Sequence, residues 1–108
     1  MCNLYANTMP PEAARRLFEV APEHDATGNA APEPAIFPRG TAPVVAIGKA
    51  GQRALRPMHW GFLLPQTSKR TGEAILPKAV NNARDDKLRN SPFWKASFER
   101  RRCLVPAT

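Results

Sequence analysis

The sequence predicts an α+β fold in one small domain, richer in strands than in helices. Three observations carry this. Short apolar runs alternate with clusters drawn from twelve prolines and six glycines, the spacing of a strand-and-turn chain. Only two segments combine an apolar stripe with a helix-opening proline. The 108 residues are 43% hydrophobic and 23% charged, ordinary values for a globular domain.

Each element follows from local chemistry. Residues 1–7 read as extended. Thr8 is placed to cap a helix opening at Pro10 or Pro11, where a missing N–H costs nothing. Ala13, Ala14, Leu17, Phe18 and Val20 give that helix an apolar stripe, and it ends before Pro22. Residues 21–40, with Pro22, Gly28, Pro32, Pro34, Pro38 and Gly40, read as a loop. Residues 41–47 form a short apolar strand. Gly48-Lys49-Ala50-Gly51 forms a hairpin turn, and residues 52–62 return as a second strand. Residues 65–72 read as a polar loop and residues 74–83 as holding another strand. Ser91-Pro92 opens a second helix that runs to about Arg101, with Phe93, Trp94, Ala96 and Phe98 as its apolar members. Cys103-Leu104-Val105 starts a buried strand. No repeat is visible. A strand that has just begun is an unusual domain boundary, so the expectation is the first part of a larger β-rich domain.

Charge narrows the function. Sixteen Lys and Arg face nine Asp and Glu, a net +7. Residues 1–34 hold two bases and five acids, whereas residues 35–72 hold six bases and no acid. A basic surface built from residues 35–108 attracts polyanions, although a solvated basic face with no partner has the same composition. No run of 18 apolar residues exists, and the N-terminus lacks a secretory signal, so no membrane partner is expected. Cys2 and Cys103 make no disulfide framework, and His24 and His59 lack metal-ligand spacing. No metal or cofactor is therefore expected, and a reducing cytoplasm is the natural setting.

Cys2 carries the sharpest chemistry. Removal of Met1 turns it into an N-terminus with an amine and a thiol on adjacent carbons. Such an amine condenses with an aldehyde to a Schiff base. The thiol then closes a five-membered thiazolidine, which no internal cysteine can do. Trp60, in Met58-His59-Trp60-Gly61-Phe62, is an aromatic in an acid-free segment that can stack on a base; a core tryptophan has the same signature. In Asn81-Asn82-Ala83-Arg84, Asn82 and Arg84 share a strand face. Arg84 can grip a phosphate through two bonds, and Asn82 can hold a small oxygen-bearing group. A polar turn is the plainer reading of the same residues. Arg100-Arg101-Arg102 complements a helix C-terminus without any ligand. Cys103 reads as a small buried hydrophobe, and His59 as a surface residue.

Four stretches occur in order: Met1-Cys2-Asn3-Leu4-Tyr5, Met58-His59-Trp60-Gly61, Asn81-Asn82-Ala83-Arg84 and Arg101-Arg102-Cys103-Leu104-Val105-Pro106-Ala107. Together they resemble the SRAP family of SOS response-associated peptidases, or abasic-site processing proteins, over nearly the whole chain. The resemblance implies a β-rich, barrel-like domain with flanking helices. It implies autocatalytic loss of Met1 and a thiazolidine crosslink between Cys2 and an abasic site in single-stranded DNA. It further implies Cys2 and Asn82 as catalytic residues, Trp60 and Arg84 as DNA-binding residues, and a cytoplasmic, nucleoid-associated setting when acting on DNA.

The departures are specific. Asn3 and Leu4 replace the Gly and Arg of the common family opening, and Ala35-Ile36-Phe37-Pro38 departs from the usual Asn-Val-Ala-Pro. The Glu and His that the family uses in acid–base and Schiff-base steps have no matching position here. Residues 1–108 thus read as the N-terminal part of a single SRAP domain, with weakened chemistry expected. Two other functions fit the residues. A non-covalent basic nucleic-acid-binding module would not need Cys2. A thiol peptidase acting on other proteins would need a base, and His24 and His59 are its only imidazoles.

Overall fold

Two prolines face each other at the centre of the fold. The computed structural model describes residues 2–108, and there Pro43 of β3 (Thr41–Ile47) lies opposite Pro57 of β4 (Arg53–His59). Opposed residues in an antiparallel pair alternate between bonded and non-bonded positions. Pro43, Val45 and Ile47 fall on the non-bonded positions, so neither proline removes a ladder bond. The backbone of Val45 is then free to bond outward, and it exchanges two bonds of 2.9 Å with Leu104. Leu55, opposite Val45, accepts from the Ala26 N–H at 2.8 Å on the other edge.

The remaining elements attach to this hairpin. β1 (Tyr5–Asn7) pairs antiparallel with β2 (Glu33–Ile36). α1 (Pro11–Phe18) packs Ala14 against Val20, Val45 and Leu55, with Met9 and Phe18 around them. β5 (Phe62–Thr67) pairs antiparallel with β6 (Ala74–Val80), and α2 (Lys95–Arg100) closes the order. Phe62, Phe93 and Trp94 stack edge-on with centroids 4.8–6.0 Å apart, joining α2 to the start of β5. The described chain is therefore α+β: six strands in three two-stranded sheets, plus two helices. The three sheets do not close into a barrel among the described residues. The molecule is elongated at 51 × 29 × 24 Å, and its 16.2 Å radius of gyration exceeds the roughly 13 Å of a compact chain this long.

Several boundaries differ from expectation, each for a local reason. Thr8 does not cap α1. Pro10 stands at the N-cap without a side-chain bond, the Asn7 carboxamide accepts from the Met9 N–H, and Thr8 bonds Thr108 instead. The stretch 21–40 is not all loop: Pro22–His24 forms a 3-10 turn, and β2 pairs through an edge strand that tolerates Pro34. The strand expected over 52–62 breaks at Gly61, whose φ of 112° ends the pairing with β3. The chain then starts β5, which runs through Pro65 because a register shift between Leu64 and Gln66 absorbs the missing donor. The polar loop therefore shrinks to 68–73. β6 fills 74–80 of the 74–83 stretch expected to hold a strand, so Asn82 and Arg84 lie beyond it. α2 begins at Lys95, after a turn held by the Ser91 carbonyl and hydroxyl. Near the C-terminal end only Leu104 pairs, as an isolated bridge to Val45, and Cys103 is exposed rather than buried.

Arg15 of α1 reaches Asp25 at 2.6 Å, and the Asp25 side chain is only 4% exposed. Burial pushes its carboxyl up, but bonds from the Thr27 hydroxyl and N–H and from Arg15 outweigh it and hold the carboxyl below its usual value. A depressed folded value stabilises the fold above the unfolded pKa of about 3.9 and ceases to as pH falls through the folded one. Asp25→Ala is expected to cost about 2 kcal/mol at neutral pH by denaturant unfolding. Asp25→Asn should flatten the acid limb of the stability profile below about pH 4. An unchanged acid limb would show that Asp25 does not carry it.

Candidate functional site

Three chain segments meet at one end of the central hairpin. The first is residues 2–5, leading into β1. The second is Trp60-Gly61, just after β4. The third is Asn81, just after β6. Register brings the last two together: Phe62 pairs with Val80, so Gly61 and Asn81 flank the same rung. A Cβ on Gly61 would lie 3.7 Å from the Val80 carbonyl, so the turn and the end of β6 are in near contact.

The N-terminal segment lies across this junction. The Asn81 side-chain amide donates to the Cys2 carbonyl at 2.7 Å and to the Asn3 side-chain oxygen at 3.3 Å. Tyr5 meets Trp60 edge-on at 5.3 Å. Burial raises the Tyr5 phenol pKa, with Cys103 nearby adding to the rise. Burial likewise pushes the Cys103 thiol up. Cys103 is thus a surface residue whose thiol is partly desolvated, outside the core. Cys2 is exposed, with its thiol free. Arg39 joins the site through its backbone: its N–H donates to the Trp60 carbonyl at 2.9 Å, and Trp60 donates to Gly40.

The candidate residues distribute unevenly. Cys2 and Trp60 stand in the same region. Asn82 is exposed, and it is Asn81, not Asn82, that bonds Cys2. Arg84 is exposed and closed on its own neighbour: Nε and Nη2 bond the two Asp86 carboxylate oxygens at 3.1 and 3.0 Å. The backbone after Val80 leaves the sheet, so the shared strand face expected for Asn82 and Arg84 does not form. Asn81, Asn3, Tyr5 and Arg39 were not singled out from sequence. Alternation along β6 carries the signal for Asn81, since it starts from the rung shared with Phe62. No hydrogen bond joins either histidine to Cys2 among the described residues. Nor do any three His, Cys, Asp or Glu among them cluster to hold a metal. Among the described residues, no helix is long and apolar enough to cross a membrane.

Comparison with known proteins gives one match. The family model described as SOS response associated peptidase (SRAP) matches residues 1–108. No curated protein and no solved structure matches the chain.

The Arg84–Asp86 pair yields a test of the basic surface. An exposed pair of this kind is worth about 1 kcal/mol or less. Asp86→Asn frees the guanidinium and removes a repelling carboxylate. Affinity for a single-stranded oligonucleotide at low salt should rise, by no more than about fivefold. An unchanged affinity in filter-binding titrations would remove Arg84 from the phosphate-contacting residues.

Proposed function

We propose a function from the premise that the chain belongs to the SOS response associated peptidase (SRAP) family, whose model spans residues 1–108. Membership carries a role related to the response to DNA damage. Beyond that, we infer that Cys2 is a nucleophile toward the ring-opened aldehyde of an abasic site in single-stranded DNA. The observation that carries this is the exposed Cys2 held by Asn81 at the end of β6, on a segment whose Tyr5 meets Trp60.

The chemistry balances simply. The Met1–Cys2 amide is hydrolysed with one water, releasing methionine and freeing the Cys2 amine; Met1 itself lies outside the described residues. The amine condenses with the aldehyde carbon, forming an imine and expelling one water. The thiol sulfur then adds to the imine carbon and its proton passes to nitrogen. The product is a thiazolidine that joins protein to DNA, with no oxidant, metal or cofactor involved.

The chain's own residues have distinct parts in this reading. Trp60 offers a ring for a base near the lesion, with Tyr5 holding it from behind. Arg39 and Arg84 supply phosphate contacts, Arg84 after releasing Asp86. Asn82, exposed beside Asn81, is free to meet the sugar oxygen. General acid–base groups typically supply 10²–10⁴-fold in such steps. No carboxylate or imidazole is hydrogen-bonded to Cys2 among the described residues, so a slow reaction is expected. The family barrel and a cytoplasmic setting belong to this same proposal.

Intact mass, measured in denaturant before and after mixing with an abasic oligonucleotide, tests it. The expected result is loss of Met1 and an adduct that persists in denaturant and high salt. Cys2→Ala should abolish the adduct while leaving ordinary single-strand affinity in place. A residue retained before Cys2 should also abolish it, because the amine is blocked. An adduct from either altered protein would overturn the ring mechanism. Binding that vanishes with salt, at a slope of roughly −0.7 per phosphate, and leaves no adduct would favour a non-covalent module.

A further inference from the structure

We propose that Asn81 is a positioning residue that aims both reactive groups of Cys2, an inference that rests on the nucleophile assigned above. The carbonyl carbon of Cys2 is bonded directly to the Cα that carries the amine and the thiol-bearing Cβ. Anchoring that carbonyl leaves only the rotation about Cα–C and the side-chain torsion free. The Asn81 Nδ2 makes this anchor at 2.7 Å and uses its second hydrogen on the Asn3 side chain at 3.3 Å. Both donors of the amide are therefore engaged on residues 2 and 3. A carbonyl oxygen accepts and never donates, so the amide nitrogen must face Cys2. The amide orientation is thus set by chemistry.

The position of Asn81 makes the anchor firm. It is half-buried and directly follows Val80, whose rung with Phe62 ends the β5–β6 ladder. The segment it holds has little else. Cys2, Asn3 and Leu4 are all exposed, and the first strand begins only at Tyr5. Chain termini held this lightly fray unless something ties them down. Asn82 is exposed, and the bond to the Cys2 carbonyl comes from Asn81. The pair therefore divides the work: Asn81 holds the protein's reacting residue, and Asn82 remains open to the DNA.

Single-turnover crosslinking by the full chain, with Met1 removed, tests the inference. Asn81→Leu keeps the volume and loses both donors. The maximal rate at saturating abasic oligonucleotide should fall roughly ten- to a hundredfold, the scale of a misaimed reacting group. The half-saturating DNA concentration should not move. Reaction of Cys2 with formaldehyde, which binds nowhere and needs no aim, should proceed at the normal rate. Asn81→Gln should recover part of the lost rate, because it restores the amide. Asn3→Ala, the milder variant should Asn81→Leu fold poorly, should slow the reaction less. It should add nothing in the Asn81→Leu background. A normal maximal rate in Asn81→Leu would overturn this inference alone. An equal loss with formaldehyde would overturn it too, by showing that Asn81 governs the access or integrity of Cys2 rather than its aim. No crosslink by the unaltered chain would overturn the nucleophile assignment, and this inference with it.

Discussion

The rest of the structure depends on the Val45–Leu55 pair. Its side chains meet Ala14 and Val20 to form the small core. Its backbones face outward because the pair occupies a non-bonded rung, and each gathers a further segment: Leu104 on one edge, Ala26 on the other. Leu55 is 1% exposed, the most buried large side chain among the described residues. One rung of one hairpin thus fixes the α1 helix, the loop after it and the segment near residue 104. The opposed prolines keep this register, since a one-residue slip would place one of them where a ladder donor is needed.

The site sits where that rigid hairpin hands over to a second one. Gly61 makes the transfer, because a φ of 112° is open to glycine and costly for other residues. Its consequence is geometric. β5 turns away from β3 and pairs with β6, and the end of β6 returns beside Trp60. The N-terminal segment bridges the junction, held by Tyr5 on one side and Asn81 on the other. Cys2, Trp60 and the anchoring amide of Asn81 come from three distant parts of the sequence.

What was legible in the sequence was local. The helix opening at Pro11, the Gly48–Gly51 turn and the strand over 41–47 follow from proline placement and apolar alternation; the turn and strand form as expected, while the helix stops at Phe18, short of Val20. Gly51, at a φ of 82°, is where a three-residue hairpin loop needs its left-handed residue. What failed depends on pairing across the chain. β2 looks like loop because Pro32 and Pro34 dominate it, and only β1 makes it a strand. β5 looks like loop because of Pro65, which a bulge absorbs. The same holds at the site. Cys2 and Trp60 were singled out from sequence, and the structure brings their segments together through Tyr5. The choice between Asn81 and Asn82 turned on where β6 stops, a fact set by Phe62 eighteen residues earlier. Arg84 was legible as a cation, but not as one already engaged by Asp86.

The β5–β6 hairpin has an energetic consequence beyond its geometry. It exposes Leu63, Ile75 and Leu76, the last at 88%, and buries none of its residues fully. Its ties to the body are the Phe62–Phe93–Trp94 cluster and the junction at Gly61 and Asn81. A unit with so little buried surface opens locally at far lower free energy than the whole chain unfolds. Hydrogen exchange along residues 62–80 would therefore be faster than along the Val45–Leu55 rung, and correlated across the hairpin. Because Asn81 ends that unit, each such opening also lets go of Cys2. The availability of Cys2 is thus tied to the breathing of a strand pair to which it does not belong.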